Sequence, residues 1–213
     1  MTIDLFKGYL PGIHMLDIPT ILFSKAIKEP SFEEMLLFYE GDRKFKRIRD
    51  NSTYWIDFAS KHPIVASPDF SIYWSMSLDE QKQNKDFNLW FGREVQKKNP
   101  NTVFNVRFGD ARSYDFCFDG YPQNSIVMVG THGCIKRYDE RLVFKAGFSE
   151  LVRWLTPRIV VVYGRAPLDI FGDYVSRGGV VLRIPSEFEK NIRNQLLPDF
   201  QSPAIIYIHG MAF

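Results

Sequence analysis

The stretch Thr156-Pro157-Arg158-Ile159-Val160-Val161-Val162-Tyr163-Gly164-Arg165, with Val180-Val181-Leu182-Arg183-Ile184 shortly after it, decides the fold class. Both apolar runs, Ile159–Tyr163 and Val180–Ile184, are continuous. A strand with one solvated face alternates apolar and polar side chains, whereas a continuous run suits a strand covered on both faces of a parallel sheet. Between the runs, Phe171-Gly172-Asp173 reads as part of a helix that Arg177-Gly178-Gly179 ends. Strand, helix and strand in that order form a crossover unit.

Outward from this unit the same pattern recurs. Runs at Pro19–Phe23, Met35–Tyr39, Ile64–Ser67, Val103–Phe108, Ile126–Val129 and Ala204–Ile208 bring the expected strands to eight. Leu78–Lys98 reads as a helix that opens on Ser77, with Glu80 three residues later as a capping box. Arg137–Leu155, bounded by Pro157, places Leu142, Phe144, Phe148, Leu151 and Val152 on helical spacing. Asp42–Ser60 is read as a third helix with Phe45, Ile48, Trp55 and Phe58 on its apolar face. The connection from Asp110 to Asn124 has room for a helical turn or two. The fold expected is α/β, built of repeated βα units as a compact TIM-like (β/α) barrel. The alternative is an open, mostly parallel doubly wound sheet. The first unit weakens the barrel count, since Pro30 cuts short the helix available at Ser24–Pro30.

Length and composition bound the rest. The chain of 213 residues is long enough for a full core, and residues 1–213 are read as a single α/β domain. With 19 Phe the core should be aromatic-rich, and a net charge of +2 gives no sign of non-specific nucleic-acid coating. The first residues lack the basic and apolar regions of a signal peptide, and no stretch approaches the roughly 20 apolar residues of a membrane span. Cys117 and Cys134 have neither metal-site nor redox-motif spacing. A reduced, cytoplasmic setting with no membrane partner is expected.

Ligands of parallel α/β folds bind beyond the C-terminal ends of the strands, where loops and helix N-termini converge. In this chain the residues just past the expected strands are polar or ionisable: Glu40 and Asp42, Asp69 and Ser71, Asp110 and Arg112, Thr131 to Cys134, Gly164 and Arg165, Ser186 and Glu187, His209. Positions before most of the strands read as proline or polar punctuation. Asp, Ser and Gly there also serve as helix caps and turn residues, but His132, Arg165 and His209 are poor caps.

Gly130-Thr131-His132-Gly133-Cys134 is the strongest local element. Its glycines let the backbone turn sharply beside a ligand, so Thr131 and Gly133 are candidate anion-binding positions. His132 is a candidate proton-transfer group, and Cys134 a nucleophile if its thiolate is stabilised. In Arg107-Phe108-Gly109-Asp110, Asp110 could share a divalent Mg²⁺ or Mn²⁺ with Asp69, or pair with an arginine. Asp69 and Asp110 are therefore candidate catalytic and metal-binding carboxylates, and Arg107 and Arg165 candidate phosphate clamps. Asp115 and Asp119 flank Phe116, Cys117 and Phe118 and read as solvated. No Walker A or GxGxxG motif occurs.

Together, Ser67-Pro68-Asp69-Phe70-Ser71, Arg107-Phe108-Gly109-Asp110, Phe116-Cys117-Phe118-Asp119-Gly120, Gly130-Thr131-His132-Gly133-Cys134 and Phe171-Gly172-Asp173-Tyr174 resemble the family catalogued as domain of unknown function 4417. The resemblance runs from about Phe38 to Phe188. It implies a setting in Gram-positive bacteria, their plasmids and their phages, and carries over no activity, catalytic residue or cofactor. The expectation is an enzyme acting on a phosphate-bearing substrate (nucleotide or nucleic acid) at the strand C-terminal face. The alternative is a non-catalytic protein of a mobile element that binds a host or phage partner, for which an exposed patch of Tyr73, Trp74 and Phe213 would speak.

Overall fold

The computed structural model describes residues 8–196. They form one eight-stranded sheet, parallel throughout, in the order β1-β8-β7-β6-β5-β4-β3-β2. The strands are β1 (Gly12–Met15), β2 (Thr20–Leu22), β3 (Met35–Leu37), β4 (Val65–Ala66), β5 (Thr102–Asn105), β6 (Ile126–Gly130), β7 (Ile159–Tyr163) and β8 (Val180–Ile184).

The two edge strands, β1 and β2, are consecutive in the chain and joined only by residues 16–19. In a flat sheet, seven steps of about 4.8 Å would put the edges about 34 Å apart. Five residue steps from Met15 to Thr20 reach at most about 18 Å. The sheet therefore has to curl. Leu16 N–H donates to Arg183 O at 2.8 Å and Met35 N–H to Pro19 O at 2.9 Å, so the linking segment stays bonded to β8 at one end and β3 at the other.

Side chains sort as curling requires. Met35, Leu37, Ile64, Ala66, Val103, Met128, Val161, Val180 and Leu182 form a concave-face core made without any helix. Their strand neighbours Leu36, Val65, Phe104, Val127, Val160 and Val181 face the opposite way and pack under the helices. The sheet is thus open, as in the second of the two expectations, and curled toward the first. No ladder joins β1 to β2.

The helices are α1 (Phe23–Ala26), α2 (Ser52–Ala59), α3 (Leu78–Lys98), α4 (Tyr114–Cys117), α5 (Tyr138–Leu155), α6 (Leu168–Ser176) and α7 (Glu187–Leu196). α3 has the bounds read from the sequence, and its capping box forms: Glu80 N–H donates to Ser77 Oγ, and Ser77 N–H to Glu80. The single helix expected over Asp42–Ser60 is instead two short 3-10 turns followed by α2. Asn51 ends the run and caps α2 by accepting from Tyr54 N–H. Phe45 and Ile48 are still buried, which is why their spacing read as helical.

Two further expectations change. The expected strand Ala204–Ile208, with His209 after it, lies outside the described residues, and the eighth strand among them is β1. β5 ends at Asn105, so Arg107 stands beyond the strand rather than in it. Asp115 and Asp119 are exposed and Cys117 and Phe118 buried, as read. No helix among the described residues is long and apolar enough to cross a membrane.

Candidate functional site

At the C-terminal ends of the strands lies a cavity of about 410 Å³, lined among others by Tyr39, Asp69, Arg107, His132, Cys134 and Tyr163. Each of these follows from a strand end. Tyr39 stands two residues past β3, Asp69 three past β4, Arg107 two past β5, and Tyr163 closes β7.

Asn105, fully buried at the end of β5, organises the floor. Its backbone N–H donates to Ser67 Oγ at 2.9 Å, and its side-chain amide donates to Asp69 Oδ1. Its amide oxygen accepts from Tyr39 Oη at 2.8 Å. One residue thereby ties β3, the loop after β4 and β5 together. The Tyr39 ring is held against Tyr163, with centroids 4.7 Å apart and planes 6° from parallel. Gly130 makes room for that ring, since a Cβ there would sit 2.6 Å from Tyr39 Cε1.

Asp69 is the most perturbed carboxyl of the mouth. Burial pushes its pKa up to about 6, against the pull of Arg107 and of the Asn105 amide, and Asp42 adds to the rise. Asp42 is held nearby by Ser71, whose N–H and hydroxyl both donate to it. Arg107 Nε lies 3.4 Å from Asp69 Oδ1, in ion-pair range but without hydrogen-bond geometry. Burial opposes the Arg107 charge, yet Asp69, with Cys134 and Tyr73 beside it, holds its pKa above that of an ordinary arginine. Arg107 Nη1 also donates to Cys134 Sγ at 3.6 Å. Burial pushes the Tyr163 phenol up to about 12 and raises Tyr39 well above the usual value, Asp69 adding to the latter. Both phenols are therefore neutral at physiological pH.

The expected site residues divide among three cavities. Asp69, Arg107, His132 and Gly133 line the mouth cavity, His132 at its exposed rim with its ring centroid 6.4 Å from that of Tyr163. Gly133 has φ +83, the left-handed region that glycine favours, and turns the loop toward the cavity. Asp110 lines a second, smaller cavity and caps the turn after β5: it accepts from Arg112 N–H at 3.2 Å and pairs with the Arg112 guanidinium. Among the described residues, no three His, Cys, Asp or Glu side chains come together as a metal-ion site. Arg165 lines a third cavity, of about 640 Å³, with His14, Met15, Arg183 and Glu189. The Thr131 hydroxyl donates to Arg165 O at 2.7 Å and lies 3.3 Å from Tyr163 O, so it fastens the loop after β6 to the loop after β7.

Asn105, Tyr39 and Tyr163 were not legible as site residues. The one available signal was Asn105, a polar residue inside the apolar run Val103–Phe108.

The chain belongs to the family described as Domain of unknown function (DUF4417), whose model matches residues 16–182. That match takes in Tyr39, Asp69, Asn105, Arg107 and Cys134. The chain is similar to the Gene 1 protein of Mycobacterium phage L5, 25% identical over 130 residues, which is 61% of this chain and 57% of that protein. It is also similar to the Gene 1 protein of Mycobacterium phage D29, 36% identical over 53 residues, which is 25% of this chain and 20% of that protein. The match therefore spans less than two thirds of either relative. No solved structure matches the chain.

Proposed function

We propose that this member of the family is an enzyme that carries out proton-transfer chemistry on a phosphate-bearing substrate, a nucleotide or a nucleic-acid end. The observation that carries the reading is the Asp69–Asn105–Arg107 arrangement at the floor of the mouth cavity. A carboxyl with pKa near 6 is close to neutrality, the range in which a general acid or base works best. Arg107 presents a planar cation whose remaining N–H groups suit a phosphate oxygen. Tyr39 and Tyr163 supply neutral hydroxyls and a stacked, rigid wall. His132 at the rim is a second proton carrier that solvent can reach. No step of this reading runs through a metal. The version with a shared Mg²⁺ or Mn²⁺ needs Asp69 and Asp110 on one ion, and metal titration of the wild type and Asp110→Asn tests it.

The reading is tested by calorimetric titration with nucleoside monophosphates and by phosphorus NMR of mixtures with nucleotides and short oligonucleotides. Arg107→Met should weaken binding by at least about tenfold. Asp69→Asn should keep binding and lose turnover. A wild-type protein that binds no phosphate compound overturns the reading. Binding without turnover moves the weight to a non-catalytic partner-binding protein, which the exposed Tyr73 and Trp74 side chains favour; Phe213, the third residue of the expected patch, lies outside the described residues.

A further inference from the structure

Beside the mouth cavity lies a second one of about 210 Å³, and the two share Tyr73, Arg107, Gly130, Gly133 and Cys134 in their walls. Its character is different. The interior is apolar and aromatic, made by Ile72, Val106, Phe108, Val129, Val143 and Phe144, with Trp74 standing 72% exposed at its side. Three carboxylates, Asp110, Asp139 and Glu140, complete the lining.

Those carboxylates say what the chamber does not hold. Asp139 and Glu140 occupy the first turn of α5, where a helix would otherwise favour an anion. An anionic group is thereby turned toward Arg107 at the junction. The carboxylates are engaged to different degrees: Asp110 accepts from the Arg112 backbone N–H and guanidinium, Asp139 is held on both oxygens by the Arg137 guanidinium, and Glu140 accepts from the Arg137 backbone N–H. A carboxylate accepts about four hydrogen bonds, so Glu140 keeps the most acceptor capacity for a donor in the chamber, Asp139 less and Asp110 least. Apolar and aromatic walls with acceptors suit a ring that carries N–H donors. At about 210 Å³ the chamber is below the roughly 300–1,000 Å³ of whole-ligand pockets, so it fits part of a ligand whose remainder lies in the mouth.

We infer that the substrate is a nucleotide held in two parts, its phosphate on Arg107 in the mouth cavity and its base in this chamber, with amino-bearing bases preferred over uracil or thymine. The inference rests on the reading proposed above and adds a base-binding subsite to it. Bases with an exocyclic amino group donate two N–H groups toward Asp139 or Glu140, whereas uracil has no exocyclic amino group and its N3–H donor is flanked by two carbonyl oxygens that a carboxylate disfavours.

The test compares AMP, CMP, UMP, ribose 5-phosphate and inorganic phosphate by calorimetry on the full chain. AMP or CMP should bind at least about tenfold more tightly than ribose 5-phosphate, with UMP weaker than both nucleotides. Val143→Phe narrows the chamber from a half-exposed position on α5. It should remove the advantage of AMP and CMP and leave ribose 5-phosphate unchanged. Trp74→Ala, on an exposed loop, provides a second variant that does not depend on α5 packing. If ribose 5-phosphate binds as well as every nucleotide, or if UMP binds best, the base subsite is overturned and the phosphate reading stands. If none of the five compounds binds, both fail.

Discussion

Tyr39 and Tyr163 stack with ring centroids 4.7 Å apart and planes 6° from parallel, although Tyr163 ends β7 and Tyr39 follows β3, four places away in the sheet. At about 4.8 Å per strand, those positions would lie about 19 Å apart in a flat sheet. The contact exists because the sheet curls, and it makes the cavity wall a product of the whole fold.

The stack leaves no room on its Gly130 side. Gly130→Ala should destabilise the protein by about 1–3 kcal/mol, because its Cβ would press on the buried Tyr39 ring. Gly133→Ala meets no atom within 4 Å and carries only the strain of φ +83, about 1 kcal/mol. Urea unfolding of the two variants measures the contrast. Equal effects would mean that the Tyr39 ring is not confined as described.

Asp69 makes stability pH-dependent in a direction opposite to that of most carboxylates. Its pKa is raised in the folded state, so between about pH 4 and 6 the native protein holds a proton that the unfolded chain has released. This group's contribution is full below about pH 4 and is lost as pH rises through about 6. Asp69→Asn removes that dependence. Relative to wild type, the variant should gain about 2–3 kcal/mol on going from pH 4 to pH 7, read from unfolding curves at both pH values.

The Asn105 side chain has three partners, Tyr39, Asp69 and the Pro68 carbonyl, and no contact with water. Asn105→Ala should lower stability by about 2–3 kcal/mol by leaving the Tyr39 hydroxyl and Asp69 without their bonds. It should also raise the Asp69 pKa further, since the amide holds it down. Carbon-detected NMR titration of the Asp69 carboxyl reads that shift.

The two cysteines should differ sharply toward iodoacetamide. Cys117 is fully buried and burial pushes its thiol up to about 12, while Cys134 is half-buried on the cavity wall. Mass spectrometry of the native protein should find one alkylated thiol, at Cys134, with the second appearing only on unfolding. Labelling of Cys117 first would contradict the burial pattern.

Seven of the eight strands among the described residues were legible in the sequence because continuous apolar runs are a strong signal. β1 escaped because Gly12-Ile13-His14-Met15 is short and interrupted by a histidine, and its place in the sheet depends on β8 rather than on its own pattern. The broken helix at residues 42–59 was misread because spacing alone cannot separate two 3-10 turns from an α-helical turn when both bury the same side chains. In the candidate site, Asp69 and His132 could be found by looking just past strand ends, whereas Arg107 fell inside the strand expected over Val103–Phe108. Asp110 and Arg165 follow the same rule, yet face neighbouring cavities. Side-chain direction after a strand depends on loop geometry that spacing does not encode. Tyr39 and Tyr163 looked like ordinary strand termini, and only the curl of the sheet turns them toward each other.

The four-residue link between β1 and β2 also bears on the order in which the molecule assembles. β1 finds its partner β8 about 170 residues along the chain, whereas β2 pairs with β3 over a short loop. Closing the longer loop has the larger entropic cost, and it must wait until β8 has been synthesised. Folding should therefore proceed from β2 toward β8, with β1 docking last, and pulsed hydrogen exchange should show Gly12 to Met15 gaining protection after the strands from β5 to β7. On a ribosome, the first of the eight described strands to be made would be the last to find its place.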